Sequence, residues 1–247
     1  MTDMDKTYGK GLLPDPVDER DLLWRAVVSP SALSVPPSFK LTSLGAVLDQ
    51  GDKPWCVAYG SATLKMQQEF KEHKKFYSFD PEWLYTECKK LDGSPNTDGT
   101  YIRVALKIIQ DSGYLARAER YKLKSDTYFK IDRYVRLTSI QQIKEAIYHV
   151  GPVVFGITVD ESIYSPNRLG VIPEPDESKV IGGHCMVAVG WDDNKKCDNS
   201  RGAVLVKQSW GTNYGNSGFI WIPYTHFLTY SDYDAWRTID AKDLYVT

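Results

Sequence analysis

"DQGDKPWCVAYG", Asp49 to Gly60, sets a glutamine six positions ahead of a cysteine that opens a helical pattern. From Cys56 to Glu72 the apolar side chains Val57, Ala58, Leu64, Met66 and Phe70 recur at helical rather than strand spacing. A free thiol has a pKa of about 8.5 and is mostly protonated at neutral pH, but the positive end of a helix favours the thiolate. Most lone cysteines are simply small buried hydrophobes. Cys56 therefore acquires chemical meaning only if the chain also supplies a base.

The chain has four histidines. His73 sits in the charged stretch "KEHKKF", His149 closes the "AIYHVG" helix where a cation suits the carboxyl-end dipole, and His226 has no distinctive setting. His184 differs. In "IGGHCMVAVGW" it follows two glycines, which permit close backbone approach, and heads an apolar strand. A third segment, "VKQSWG" (Val206 to Gly211), ends a strand with an amide and places an indole two residues later. An amide oxygen that accepts one imidazole N–H fixes the tautomer and aims the other nitrogen at a thiol. Each segment alone also fits a purely structural role, as a strand histidine and a turn.

The 247 residues suit one large domain or two closely packed lobes. Thirty basic against thirty-two acidic side chains leave no electrostatic footprint for nucleic acid, and no apolar run reaches the roughly 20 residues that span a bilayer. Cys56, Cys88, Cys185 and Cys197 form no CxxC pair, and the N-terminus lacks the apolar core of a secretory signal, so a reducing cytoplasm is the expected compartment. Helices are predicted after Asp80–Pro81, over "DGTYIRVALKIIQDSG" up to Gly113, and from an N-cap at Ser139. After Gly151 the segments "PVVFGITV", "HCMVAVGW", "GAVLVKQSW" and "SGFIWIPY" read as strands, while "DDNKKCDNSR" reads as a solvated loop. Helices first and strands second predict an α+β chain with a left lobe over about 50–125 and a right lobe over about 126–247.

"QGDKPWCVA", "GGHCMVAVGW" and "VKQSWGTNYGNSGFIWI" resemble, in order, the three signature blocks of the papain family of cysteine peptidases, and "ALKIIQDSGYL" resembles its third left-lobe helix. The flanks "LLPDPVDERD" and "IPYTHFLTYSDYDAWRTI" are similar to those of bacterial and viral members. The resemblance covers about Asp49 to Tyr224. It implies a two-lobed fold, with a helical left lobe, an antiparallel β-barrel-like right lobe and a cleft between them. It also implies a monomeric endopeptidase acting on peptides or proteins through a thioester, with no metal or organic cofactor. Carried onto this sequence, Cys56 is the nucleophile, His184 the general base, Gln208 the orienting amide and Gln50 the side-chain donor of the oxyanion hole. Trp210 shields the histidine–amide bond, while Gly99, Thr100, Tyr101 and Gly183 border the bound substrate.

Departures from the family pattern bear on activity. The orienting residue is usually asparagine, Trp55 and Pro54 stand where small residues precede the nucleophile, and Thr100 stands at a glycine position that contacts substrate. Two other outcomes fit the same residues: a peptide-binding protein with little or no turnover, and an acyltransferase that passes the thioester to an amine. Cys185 should face away from His184 as packing. Residues 1–36, rich in Pro, Asp and Ser, are expected to form an extended arm. That arm either straps the outside of the lobes or lies in the cleft as a short inhibitory pro-segment, with Leu12 or Leu13 in the pocket beside Tyr101.

Overall fold

In the computed structural model of the chain, residues 8–28, 34–117, 126–230 and 233–240 are described. Parts of the expected arm (1–7 and 29–33), residues 118–125 ahead of the expected lobe division, and 231–232 and 241–247 of the right lobe lie outside them. The arm carries one short helix that its polar composition does not announce, α1 (Trp24–Val27). Trp24 is fully buried there and donates its indole N–H to Glu145 at 3.1 Å.

The left side is built on α2 (Cys56–His73), which ends where Lys74 turns left-handed and returns its N–H to Phe70. Asp80 caps α3 (Pro81–Leu91) by accepting the Trp83 N–H, with Pro81 supplying a preset φ at the first position. In α4 (Ile102–Asp111) the side chains of Ile102, Ala105, Leu106, Ile108 and Ile109 are buried. At roughly 1.5–3 kcal/mol for each large apolar side chain, that face fixes the helix on its neighbours. Gly113 closes the turn after α4 at φ +90°, and a Cβ there would lie 2.9 Å from Tyr128. This contact arises because β2 (Tyr114–Ala116) pairs with β3 (Thr127–Phe129), and the left core extends to Ile131.

On the right, β1 (Ser38–Lys40), β4 (Arg133–Leu137), β5 (Val153–Asp160), β6 (Val180–Lys196), β7 (Arg201–Lys207), β8 (Phe219–Pro223) and β9 (Asp234–Ile239) form one sheet. Its order is β4-β9-β5-β6-β7-β8, all antiparallel, with β1 added to β6. This antiparallel sheet is the expected barrel-like lobe, although among the described residues no pairing joins β8 back to β4 to close it. The "DDNKKCDNSR" segment is not a loop throughout: β6 runs on to Lys196 and β7 starts at Arg201. Asp193 is held there by Lys144 and by Tyr224 at 2.7 Å. Lys144 lies on α5 (Ile140–His149), which Ser139 caps, and Tyr224 opens the short α6 (Tyr224–Thr229).

Strand alternation divides the core in two. Val153, Phe155, Ile157 and Val159 of β5 face one cluster with Met186 and Ala188, whereas Val154 and Cys185 face the helices of the other. Gly60 of α2 lets helix and sheet meet, because a Cβ there would stand 2.9 Å from the Cys185 sulfur. The two halves thus share β5 and β6 as a common wall, with the start of α2 against it.

Candidate active site

Cys56 is the first residue of α2 and is fully buried. Backbone N–H groups of Cys185, Val57, Gly11 and Cys56 itself favour its thiolate, but burial outweighs them and pushes the thiol up to about 12. His184 lies on β6, also fully buried, with its ring stacked on Trp210 at 4.4 Å and 22°. Its Nε2 is 2.9 Å from Gln208 Oε1. Since that oxygen can only accept, Nε2 carries the proton and Nδ1 keeps the lone pair. Nδ1 has no hydrogen-bond partner among the described residues. Burial, reinforced by the Lys10 charge, lowers the His184 pKa to about 4 against the pull of Gln208.

The glutamine's extra methylene is accommodated at both ends of its amide. The Gln208 N–H is tied to Gly218 O at 2.9 Å, which sets the backbone, and Nε2 donates to the Met186 sulfur at 2.9 Å. Met186 sits two residues after His184 on the same face of β6, so it and the imidazole receive opposite ends of one amide. Sequence reasoning missed Met186, whose only signal was the i+2 spacing from His184.

Gln50 is buried, donating Nε2 to Lys53 O at 2.8 Å and to Gly9 O at 3.1 Å. Its Oε1 accepts the Ser209 hydroxyl at 2.5 Å, and its N–H donates to Ser209 O at 2.8 Å. Gly211 donates to Leu48 O at 3.0 Å. These bonds stitch residues 48–50 to 209–211 and bring the first signature block against the third. Ser209 was also missed, although it stands between two singled-out residues.

The arm threads through this site. Tyr8 stacks on Trp210 at 4.6 Å, and Gly9 O accepts both the Gln50 amide and the Trp210 indole N–H, the latter at 3.1 Å. Thr100 N–H donates to Gly11 O at 3.0 Å, Leu13 N–H to Thr100 O at 3.0 Å, and Leu12 N–H to Gly183 O at 3.3 Å. Leu12 is 8% exposed, and its side chain fills the space over Gly156 and Gly183, where an added Cβ would meet it at 2.4 and 3.1 Å. Gly9 and Gly11 pass so close to the carbonyls of Lys53 and Pro54 that a Cβ on either would lie 2.0 or 2.1 Å from oxygen. Gly99, at φ +89°, faces Gly11 in the same way. Only glycine fits these passages.

Tyr101 supplies the N-cap position of α4, next to the paired Thr100. Trp55 leans on Tyr85 at 5.5 Å beneath the Lys53 ammonium, so of the two bulky residues before Cys56 it is Pro54 that borders the arm. Cys185 is buried on the helix side, as its alternation with His184 predicted. His73 lies 3.3 Å from Glu69 at the end of α2, and His226 is buried against Pro173 O at 2.9 Å.

Comparison with known proteins follows the same geometry. Residues 38–227 match the papain family cysteine protease profile. The chain is 29% identical over 208 residues to an uncharacterized peptidase C1-like protein of Acanthamoeba polyphaga mimivirus, covering 72% of this chain and 64% of that one. It is 27% identical over 210 residues to cathepsin L1 of Drosophila melanogaster, covering 78% and 55%. It therefore spans less than two thirds of these relatives' length. Among solved structures, the cysteine protease Xylellain from Xylella fastidiosa superimposes with a TM-score of 0.79 at 24% identity, over 96% of this chain and 97% of that one. Procathepsin B from Trypanosoma congolense gives 0.72 at 14% identity, over 92% and 86%.

Proposed function

The chain belongs to the papain family of cysteine proteases, and from that membership we propose that it hydrolyses peptide bonds through Cys56, His184, Gln208 and Gln50. With the arm displaced, His184 Nδ1 takes the Cys56 thiol proton and the resulting thiolate attacks the substrate carbonyl. The oxyanion is met by the Gln50 amide and the Cys56 N–H, and His184 hands its proton to the leaving amine before water resolves the thioester. The observation that carries this reading is the His184–Gln208 bond at 2.9 Å, which leaves Nδ1 as the free basic nitrogen.

We further propose that residues 8–13 hold this enzyme latent. Gly9 O already engages the Gln50 donor, Leu12 occupies the pocket over Gly156 and Gly183, and Thr100 is paired with arm backbone rather than substrate. Once the arm leaves, the same groups would receive an extended peptide, with an apolar side chain in the space of Leu12. A monomer acting on peptides or proteins fits this design. The four cysteines are all unpaired, which suits the reducing compartment expected from the sequence, and no helix among the described residues is long and apolar enough to cross a membrane.

Labelling with an epoxide-type thiol inhibitor, followed by peptide mapping, tests the assignment. Cys56 should be the residue modified, faster in a Tyr8→Ala/Leu12→Ala variant and hardly at all in His184→Ala. Modification of another cysteine, or labelling indifferent to His184, would overturn it. Product analysis with an added amine separates hydrolysis from acyl transfer.

A further inference from the structure

Two residues beyond its last hydrogen bond to the cleft, the arm is pinned by charge. Pro14 and Pro16 flank Asp15 and hold the backbone extended. The Asp15 N–H donates to Asp234 Oδ2 at 2.6 Å, and its own Oδ2 accepts the Arg103 N–H at 3.0 Å in the first turn of α4. Arg136 of β4 binds Asp234 Oδ1 at 2.7 Å and Asp21 at 3.1 Å, while Arg103 binds Asp21 at 2.8 Å and Pro16 O at 2.6 Å. Both guanidiniums lie against the Trp236 ring, 5.5 and 5.4 Å from its centre.

The cluster is charge-imbalanced. Asp15, Asp21 and Asp234, all nearly buried, face two cations, Arg103 and Arg136. Other titratable groups pack against it. Burial and then the neighbouring Cys56, Asp15 and Asp234 keep the Cys185 thiol neutral. Tyr134 of β4 lies edge-on to Trp236 with its phenol raised by burial, and Asp18 and the exposed Arg20 pair with each other. A buried cluster with one surplus carboxylate is relieved by binding a proton. Asp234 also pairs with Gly156 across β9 and β5, so the cluster adjoins the floor beneath Leu12.

We propose that Asp15 and Asp234 form a proton-dependent latch, in which one proton in this acid cluster secures the arm over Cys56 and its loss at rising pH frees the cleft. The proposal rests on the occlusion by residues 8–13 inferred above.

The direction follows from linkage. Burial first, and then the Asp234 charge, push the Asp15 carboxyl from 3.8 up to about 7, against the Arg103 N–H and the charges of Arg103 and Arg136. A docked arm therefore binds a proton more tightly than a free one. Docking is strongest below the ordinary carboxylate range and weakens as pH climbs through about 7, by at most about tenfold per pH unit for one proton.

The test uses the full-length protein. Alkylation of Cys56 by iodoacetamide is followed from pH 5 to pH 8 in wild type, in Asp15→Asn and in Tyr8→Ala/Leu12→Ala, which loosens the arm at every pH. The wild-type rate, divided by that of the double variant, should climb at least about tenfold over this range, and the Asp15→Asn ratio should stay flat at its low value. A wild-type ratio below one but independent of pH would sink the latch and leave the occlusion standing. Equal rates in wild type and double variant at every pH would sink both. Carbon NMR of the Asp15 carboxyl gives an answer independent of the Asn variant: titration near neutrality supports the latch, and titration in the ordinary carboxylate range overturns it.

Discussion

Gln208 Oε1 lies 2.9 Å from His184 Nε2 while the same amide's nitrogen is held 2.9 Å from the Met186 sulfur. Glutamine here spans a fixed gap, since its backbone N–H is tied to Gly218 O. The longer side chain is thus matched to its backbone position, as the orienting role proposed for it requires.

Gln208→Ala should lower kcat/KM about tenfold, the scale of one neutral hydrogen bond, and should leave the His184 tautomer unfixed. Gln208→Asn should fall between the two, because its oxygen is drawn back by one methylene. The comparison is made in the Tyr8→Ala/Leu12→Ala background, with the imidazole nitrogens read by NMR. Equal rates for all three would deny Gln208 an orienting role.

Gln50→Ala should reduce kcat by about 100- to 1,000-fold with little change in KM, since the role proposed for its amide is to donate where charge develops. The residue also accepts from Ser209 and donates to Lys53 O, so a thermal melt must accompany the kinetics. A loss confined to KM would assign Gln50 to substrate binding instead.

Much of this site is legible along the chain, because Cys56, His184 and Gln208 stand at or beside the ends of strongly periodic segments. Gln50 and Trp210 belong to the same local blocks. What escaped is made by tertiary contact. Ser209 meets Gln50 across 159 positions and Asp15 meets Asp234 across 219, and no local pattern signals either. The polar tail of β6 was missed for a related reason. Asp192 and Lys196 look like loop but pair with Ala203 and Arg201, and Lys144 and Tyr224 hold Asp193 between them.

Protonation of Cys56 should track the arm. Burial pushes its thiol up to about 12 with the arm in place, so readmitting water must bring that value down. The thiolate signal near 240 nm should then appear at lower pH in Tyr8→Ala/Leu12→Ala than in wild type. Coincident titrations would mean that the arm does not desolvate the sulfur.

The pocket that Leu12 fills has a floor without side chains at Gly156, and that floor decides between arm and solvent. A Cβ at Gly156 would stand 2.4 Å from one Leu12 methyl and 3.0 Å from its branch carbon, while the Leu12 backbone is tied to Gly183 O at 3.3 Å. Both Leu12 methyls and its branch carbon would be overlapped, so the side chain must leave this space and the arm loses its seat there. Gly156 has no left-handed φ, so alanine there introduces no backbone strain. Gly156→Ala should therefore alkylate at Cys56 several-fold faster than wild type, yet turn over peptides with a large apolar side chain in that pocket more slowly than peptides with alanine. Faster alkylation without the change in preference would place Leu12 in a space that substrates do not use.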